Sequence, residues 1–199
     1  MKKKKSEQRV ATISRCTTET DVTLSLNLDG GEVKISTGIG FLDHMLTLFA
    51  HHGDFGLLVT ATGDTHIDDH HTTEDIGIVL GVAFHNAAGD KKGIARYGQM
   101  LLPMDEALVD TAVDFGGRGL LHLDLPFHFA KVGTFDLELV EEFFRAFATN
   151  AKITLHINLR YGKNNHHISE AAFKATARAL KQAVRIESGR IPSTKGMIE

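Results

Sequence analysis

Apolar and polar residues alternate in some segments of this chain and recur every three or four positions in others. Alternation predicts strands, and the longer recurrence predicts helices. In the first half these patterns predict three strands, a helix, a strand and a helix, at residues 10–15, 22–28, 33–36, 41–53, 57–61 and 76–87. Asp29-Gly30-Gly31, between the second and third of these strands, predicts a hairpin.

The second half repeats much of this order. Its patterns predict two strands, a helix, a strand and a helix, at residues 107–115, 119–125, 139–150, 153–159 and 173–184. In each half a polar loop leads into His-His-x-x-Glu before the last helix, at residues 70–74 and, 96 residues later, at residues 166–170. The matched elements on both sides of these motifs indicate an internal duplication.

This order of elements predicts an α+β fold in which helices cover one face of a sheet in each half. We expect a disordered basic tail at residues 1–8, a first repeat at 9–90, a second repeat at 91–190 and a C-terminal tail at 191–199. Since no linker rich in Pro or Ser divides the repeats, we expect them to pack as one body.

The composition excludes several classes of protein. Hydrophobic residues make up 42% of 199, and no apolar run approaches the ~18 residues of a membrane span. Cys16 is the only cysteine, which excludes an intrachain disulfide and a multi-cysteine zinc site. The formal charge is −3, from 22 basic and 25 acidic residues; without Lys2–Lys5 it is 18 against 25, or −7. The acidic body argues against nucleic acid as a partner, and we expect a cytoplasmic protein with no membrane segment.

The two His-His-x-x-Glu motifs carry the strongest chemical signal. Residues four apart share one face of a helix, so the first histidine and the glutamate of each motif can bind one cation. The pairs are His70 with Glu74 and His166 with Glu170. Imidazole and carboxylate without thiolate suit Mn, Fe, Co, Ni or Zn. The competing interpretation is that these residues lie on the surface or cap the starts of two helices.

The second histidine of each motif, His71 or His167, points about 100° away from its neighbour on the helix. It is therefore free to bind a second cation, on a neighbouring half or on another subunit. Pairing of His71 with Glu74, three residues apart, is an allowed alternative. The preceding helices add His44 and, as its counterpart in the second half, Glu142, so each site gains one further ligand.

Basic residues beside small ones are candidates for anion binding, because Arg binds phosphate with two parallel hydrogen bonds and Ser and Lys add donors. These candidates are Arg96, Arg118, Lys174, Ser193 and Lys195. Lys174 lies one turn after Glu170, which keeps it on the face of the predicted cation site.

With these motifs in place, the chain resembles the imidazoleglycerol-phosphate dehydratases of histidine biosynthesis. The segments that carry the resemblance run from about residue 9 to residue 196 and lie at residues 15–20, 40–45, 68–75, 103–106, 117–118, 166–175 and 192–196. The resemblance implies a duplicated ribosomal-S5-domain-2-like fold and a lyase that converts imidazole glycerol phosphate to imidazole acetol phosphate. It also implies two Mn²⁺ per active site and a shell of 24 subunits built from trimers, with sites between subunits.

The resemblance also assigns roles to residues. The positions that match metal ligands are His44, His70, His71, Glu74, His166, His167 and Glu170. The positions that match substrate or phosphate contacts are Arg96, Arg118, Lys174, Ser193 and Lys195. Glu19 matches a substrate-contacting acid–base residue, and His52 ends a segment that lines the substrate site.

Two positions depart from the family's pattern. Glu142 stands where the family usually has His, and being a harder ligand it favours Mn over softer metals. Gly116 stands where Ser is common, which removes a hydroxyl near Arg118.

For the mechanism, our hypothesis is that a metal on the ring nitrogen favours the imidazolate, which expels the hydroxyl and gives a diazafulvene-like intermediate. Glu19, or else Glu170, then carries the proton of the neighbouring carbon, and Glu19 is favoured because Glu170 is also a predicted ligand.

Two other functions use the same residues. A dinuclear metallohydrolase of a small phosphate ester would need the same histidines, carboxylates and basic residues. A non-catalytic, metal-organised assembly would use the outward histidines to join subunits.

Overall fold

Two series of strands and helices follow one another along residues 9–198, the part of the chain that the computed structural model describes. The first series is β1 (Val10–Cys16), β2 (Thr20–Asn27), β3 (Val33–Ser36), α1 (Gly40–Gly53), β4 (Gly56–Gly63) and α2 (His70–Ala87). The second is β5 (Tyr97–Met104), β6 (Ala107–Asp114), β7 (Leu120–Asp124), β8 (Lys131–Val132), β9 (Phe135–Asp136), α3 (Glu138–Ala151), β10 (Thr154–Tyr161) and α4 (Asn165–Ala183). The predicted tail at residues 1–8 lies outside the described residues.

The two halves have the same sheet topology. The strand order is β1-β2-β4-β3 in the first sheet and β5-β6-β10-β7 in the second, and β8 with β9 forms a separate small ribbon. The third strand of each half, β3 or β7, runs parallel to its neighbour, and the other pairs are antiparallel. The α+β fold with an internal duplication is therefore confirmed. The designation as ribosomal-S5-domain-2-like stays a prediction.

Helices cover one face of each sheet, as the alternation predicts. In β2 the side chains of Val22, Leu24 and Leu26 are buried, whereas those between them face outward. Helix α2 packs on β1 and β2, and α4 packs on β5 and β6. The helices also pack across the two halves, α1 against α4 and α2 against α3. The halves therefore share one hydrophobic core between their sheets.

Close helix packing across the halves depends on two glycines of α2. A Cβ atom at Gly77 would lie 2.7 Å from the carbonyl oxygen of Phe143, and one at Gly81 would lie 2.6 Å from that of Phe147. Phenylalanine rings fill the space beside this contact, with the centroids of Phe84 and Phe147 5.4 Å apart. The contact joins the two halves into one body.

The predicted hairpin at Asp29-Gly30-Gly31 is wrong. Strand β4 lies between β2 and β3, so these two consecutive strands are not neighbours, and β3 is parallel to β4. Gly30 and Gly31 have positive φ, +96° and +145°, and they form a loop that passes the start of β4. A Cβ at Gly56 would lie 3.0 Å from the Gly30 oxygen, so the small residues serve this close approach rather than a two-residue turn.

Strand β5 is absent from the elements predicted by the sequence, as are β8 and β9. In β5, Gly98 and Pro103 interrupt the alternation of apolar and polar residues, and both are tolerated because β5 is an edge strand. Gly98 has a packing role, since a Cβ there would lie 1.9 Å from the carbonyl oxygen of Ala179. Two residues, Asp105 and Glu106, connect β5 to β6.

Three further features concern the chain as a whole. No helix within residues 9–198 is long and apolar enough to cross a membrane. The predicted boundary between the repeats, at residues 90 and 91, falls in the connection between α2 and β5. Cys16, at the end of β1, is an exposed free thiol.

Candidate active site

The start of α4 brings His166 and Glu170 together. Asn164 caps the helix, because its side-chain oxygen accepts hydrogen bonds from the backbone N–H groups of His166 and His167. The motif therefore lies in the first turns of α4, and His166 and Glu170 share one face. The Nε2 atom of His166 lies 2.9 Å from Oε1 of Glu170. The spacing of four residues predicts this contact.

Helix α1 adds a third side chain from the other half of the molecule. The Nε2 atom of His44 also lies 2.9 Å from Oε1 of Glu170. One donor atom from each of His44, His166 and Glu170 lies within 4.8 Å of the other two. Two imidazole nitrogens and a carboxylate oxygen at this separation form a donor set that fits one divalent cation of the Mn–Zn series.

Lys174 forms an ion pair with Glu170 through the second carboxylate oxygen, Oε2. Its Nζ atom also lies 3.3 Å from the sulfur of Met104. Burial acts to raise the pKa of Glu170, but hydrogen bonds from Lys174, His44 and His166 outweigh burial and lower this pKa to about 2. Glu170 is therefore a carboxylate at neutral pH, in the form that a cation ligand needs.

His52 lies on the same helix as His44, in its last turn. Burial lowers the pKa of His52, and the positive charges of Lys174 and Arg178 lower it further. His52 thus stays neutral more readily than a free histidine, and its backbone carbonyl accepts a hydrogen bond from Arg178 across to α4.

The motif of the first half is arranged differently. Helix α2 begins at His70, and no hydrogen bond or ion pair within the described chain joins His70 to Glu74. His71 lies with two acidic side chains of the loops before it, its Nδ1 atom 2.9 Å from Oδ2 of Asp64 and 3.8 Å from Oε2 of Glu19. The hydrogen bond to Asp64 raises the pKa of His71.

His167 has a carboxylate partner in the corresponding place. Its Nδ1 atom lies 2.6 Å from Oε2 of Glu106, and its Nε2 atom lies 3.6 Å from Oδ2 of Asp105. The hydrogen bond from His167, together with the backbone N–H of Asn164, lowers the pKa of Glu106 to about 2. The same contact raises the pKa of His167.

Neither His71 nor His167 has a hydrogen bond or ion pair to the cluster of His44 and His166 in the part of the chain that is described. Their turn away from the first histidine of each motif agrees with the 100° spacing of neighbouring helical residues. The sequence assigns no role to their partners Asp64, Asp105 and Glu106. The last two belong to the segment 103–106, which carries the family resemblance and was the one signal available.

Glu142 lies on α3, which packs against α2 as α1 packs against α4. Its place in the duplicated fold thus corresponds to that of His44. Its side chain is half-buried, and its one ion pair within residues 9–198 is with Arg145, at 3.9 Å between Oε1 and Nε.

Four of the five predicted anion-binding residues line one cavity of about 390 Å³. They are Arg96, Arg118, Ser193 and Lys195. Gly116, the departure from the family's usual Ser, lines the same cavity. The fifth candidate, Lys174, lies at the His44 cluster instead.

Arg96 is held in place by its surroundings. Its Nε and Nη2 atoms donate to the two oxygens of Asp114 at 2.7 and 3.1 Å, and Nη1 donates to the carbonyl of Pro192 at 3.0 Å. These bonds use three of the five guanidinium N–H groups, so two remain for an anion. Arg118, by contrast, is exposed, and its side chain makes no hydrogen bond or ion pair with residues 9–198.

Comparison with known proteins identifies close relatives. A sequence model of the family "imidazoleglycerol-phosphate dehydratase" matches residues 37–180. An imidazoleglycerol-phosphate dehydratase of Granulibacter bethesdensis is 57% identical over 194 residues, which cover 96% of this chain and 99% of that protein. One of Desulforamulus reducens is 57% identical over 193 residues, covering 96% and 98%.

Solved structures agree with the sequence relatives. The crystal structure of the dehydratase from Staphylococcus aureus is 47% identical and superposes with a TM-score of 0.81, covering 87% of this chain and 97% of that one. The structure of the Pyrococcus furiosus protein in complex with (S)-C348 is 38% identical with a TM-score of 0.83, covering 94% and 100%.

Proposed function

The chain belongs to the imidazoleglycerol-phosphate dehydratase family and is a dehydratase of histidine biosynthesis, and we propose that it removes water from imidazole glycerol phosphate at a site that holds divalent cations. The relatives support this reaction over hydrolysis of a phosphate ester and over a non-catalytic assembly, because their match extends over nearly the whole chain.

The observation that carries the cation site is the meeting of His44, His166 and Glu170. Both imidazole Nε2 atoms lie 2.9 Å from the same carboxylate oxygen, although α1 and α4 belong to different halves. Lys174 neutralises the other oxygen of Glu170 and keeps the carboxylate ionised. Nitrogen and oxygen donors without sulfur are the ligands of Mn²⁺ and its neighbours in the series, and we propose Mn²⁺. When bound, such cations act as Lewis acids on the substrate's imidazole ring and orient it.

The basic cavity is suited to the substrate's phosphate. Arg96 is pre-oriented by Asp114, and Arg118, Ser193 and Lys195 supply further donors on the same cavity wall. Fixing the phosphate at one end of a short substrate restricts the position of the other end, which supplies catalytic orientation. Because the body of the chain is acidic, this cavity is a local concentration of positive charge.

Glu19 is the proposed proton carrier. Its side chain is 53% exposed, and its Oε2 atom lies 3.8 Å from Nδ1 of His71. It is thus close to a predicted metal ligand without being held by it. Glu170, in contrast, is buried and shared by three cationic or imidazole groups, so it has no free oxygen with which to accept a proton.

We propose two cations per active site and sites completed by neighbouring subunits in a 24-subunit shell built from trimers. The support is the dispersal of donors within one chain: among the described residues, His71 and His167 have no hydrogen bond or ion pair to the His44 cluster, and a carboxylate holds each ring at Nδ1. Nε2 of His167 lies 3.6 Å from Oδ2 of Asp105, beyond hydrogen-bonding distance. A second subunit that presents its His71 or His167 would complete a donor set. We also propose that the protein is located in the cytoplasm, because histidine biosynthesis is a cytoplasmic process.

The test is conversion of imidazole glycerol phosphate by purified protein, with metal content and subunit number measured on the same sample. We expect chelation to abolish formation of imidazole acetol phosphate, and added Mn²⁺ to restore it, without release of inorganic phosphate. Phosphate release would identify a hydrolase, and turnover by metal-free protein would contradict the cation site. Arg160→Ala serves as the control, because Arg160 is an exposed residue of β10 whose ion pair is with Asp110 and not with the cluster.

A further inference from the structure

A carboxylate holds each outward-facing histidine by the same ring atom. Nδ1 of His71 lies 2.9 Å from Asp64, and Nδ1 of His167 lies 2.6 Å from Glu106. We propose that Asp64 and Glu106 are positioning residues that fix the tautomer of these histidines and so direct an unprotonated Nε2 at a cation. The inference rests on the proposed function, because it takes both histidines to be cation ligands.

The chemical reason lies in the hydrogen-bonding capacity of each group. An ionised carboxylate only accepts, so the Nδ1 atom that faces it must carry the proton. In a neutral imidazole the other nitrogen, Nε2, then has the lone pair that a cation needs. Such a carboxylate partner also fixes the orientation of the ring and raises its basicity.

Glu106 links His167 to the loop before α4. Its Oε2 atom accepts from His167, and its Oε1 atom accepts from the backbone N–H groups of Lys163 and Asn164, at 3.2 and 2.7 Å. Asn164 in turn caps α4. Both oxygens of Glu106 are therefore used, and the ring of His167 is tied to the helix start that carries it.

The duplication places Glu106 at the position of Glu19. Each stands directly before the second strand of its half, β2 or β6. In the first half, however, Asp64 makes the hydrogen bond to His71, and Glu19 stays 3.8 Å away. One half thus has a separate carboxylate for positioning, which leaves Glu19 free for proton transfer, whereas in the other half the equivalent glutamate positions the histidine itself.

Asp64 has a further feature that points to a cation. Its Oδ1 atom is buried, and no donor within residues 9–198 forms a hydrogen bond with it. A partly uncompensated buried carboxylate is unfavourable on its own. A cation on the Nε2 atom of His71 would offset the negative charge through the ring that joins them.

The variant Glu106→Gln tests the inference because glutamine has one acceptor oxygen instead of two. If that oxygen keeps the bonds to Lys163 and Asn164, the amide N–H group faces Nδ1 of His167 and forces the proton to Nε2. We expect the affinity of metal-free protein for Mn²⁺ at one of its sites to fall about 10- to 100-fold, measured by competition with a chelator. Glu106→Asp, which keeps both acceptors, should lose less.

Glu32→Gln is the control for the loss of one negative charge. Glu32 is exposed, and its side chain makes no hydrogen bond or ion pair with the described residues. This variant should bind Mn²⁺ as the wild type does.

Combining Glu106→Gln with His167→Ala in a double variant distinguishes a positioning role of Glu106 from a structural one. If Glu106 acts through His167, Glu106→Gln causes no further loss of affinity once His167 is gone. An equal loss in both backgrounds would overturn the inference. The same cycle with Asp64→Asn and His71→Ala gives an independent result in the first half, whether or not Glu106→Gln folds.

Failure of this inference differs from failure of the proposed function. Wild-type protein that binds no Mn²⁺ overturns both. Wild-type protein that binds Mn²⁺, with unchanged affinity in Glu106→Gln and Asp64→Asn, overturns the positioning role alone.

Discussion

His44 on α1, the first helix of the first half, lies 2.9 Å, Nε2 to Oε1, from Glu170 on α4, the last helix of the second half. The two residues are 126 positions apart in the chain. The contact therefore depends on the packing of α1 against α4, and the candidate cation site is a product of the interface between the two repeats. A change that loosens this interface should weaken the site as well as the fold.

The role of Glu19 is tested by Glu19→Gln, which removes a proton acceptor and keeps the size of the side chain. We expect turnover to fall by about 10²- to 10⁴-fold, the usual effect of losing a general acid or base. Metal content and assembly should not change, since Glu19 makes no short contact with a predicted ligand. Near-normal kcat would remove Glu19 from the mechanism.

Glu142 is tested by Glu142→His, which restores the residue that the family usually has. Because imidazole is a softer ligand than carboxylate, we expect the variant to keep assembly and activity and to bind Zn²⁺ or Co²⁺ more tightly relative to Mn²⁺. Metal competition followed by elemental analysis measures this ratio. Loss of activity in the variant would mean that the site depends on the carboxylate of Glu142. A metal content of one ion per subunit in the wild type would contradict the proposal of two cation sites.

The cavity lined by Arg96 and Arg118 is tested by Arg118→Ala. We expect KM for the substrate to rise by 10-fold or more, about 1.4 kcal/mol, with a smaller effect on metal content. Inhibition by inorganic phosphate should weaken in parallel, because both ligands use the same donors. Unchanged KM and unchanged phosphate inhibition would place the phosphate elsewhere.

The pH dependence of stability follows from Glu170, whose pKa is lowered from 4.5 to about 2 in the folded protein. A lowered pKa in the folded state stabilises the protein fully above pH 4.5, and this stabilisation is lost as the pH falls toward 2. In urea unfolding of metal-free protein, the difference in free energy between the wild type and Glu170→Gln should therefore shrink from pH 6 to pH 3. A difference that is constant with pH would contradict the ionised, hydrogen-bonded carboxylate.

Packing between the repeats is tested by Gly81→Ala. The added methyl group would lie 2.6 Å from the carbonyl oxygen of Phe147, so α2 must move away from α3. We expect destabilisation by about 1–3 kcal/mol and a lower Tm in thermal unfolding. Gly40→Ala is the matched control, since no atom lies within 4 Å of the added methyl group there, and its Tm should be equal or higher.

Local patterns of the sequence were enough to predict most elements and the duplication. Periodicity depends on which side chains face the core, and both halves preserve it in their helices and in strands such as β2 and β10. The pairing of His166 with Glu170 is equally local, because four residues are one turn of a helix. The alternating pattern did not predict edge strand β5, because Gly98 and Pro103 interrupt the alternation of apolar and polar residues. Gly98 permits close packing, and Pro103 protects the edge of the sheet.

The sequence by itself thus determined the two repeats, the two histidine motifs and the family to which the chain belongs. Only the tertiary structure decided that His44 joins the motif of the other repeat, that β4 separates β2 from β3, and that Asp64 and Glu106 hold the outward histidines. The physical reason is distance along the chain. Periodicity records contacts within a turn or a strand, whereas contacts between distant segments arise from helix packing and strand order.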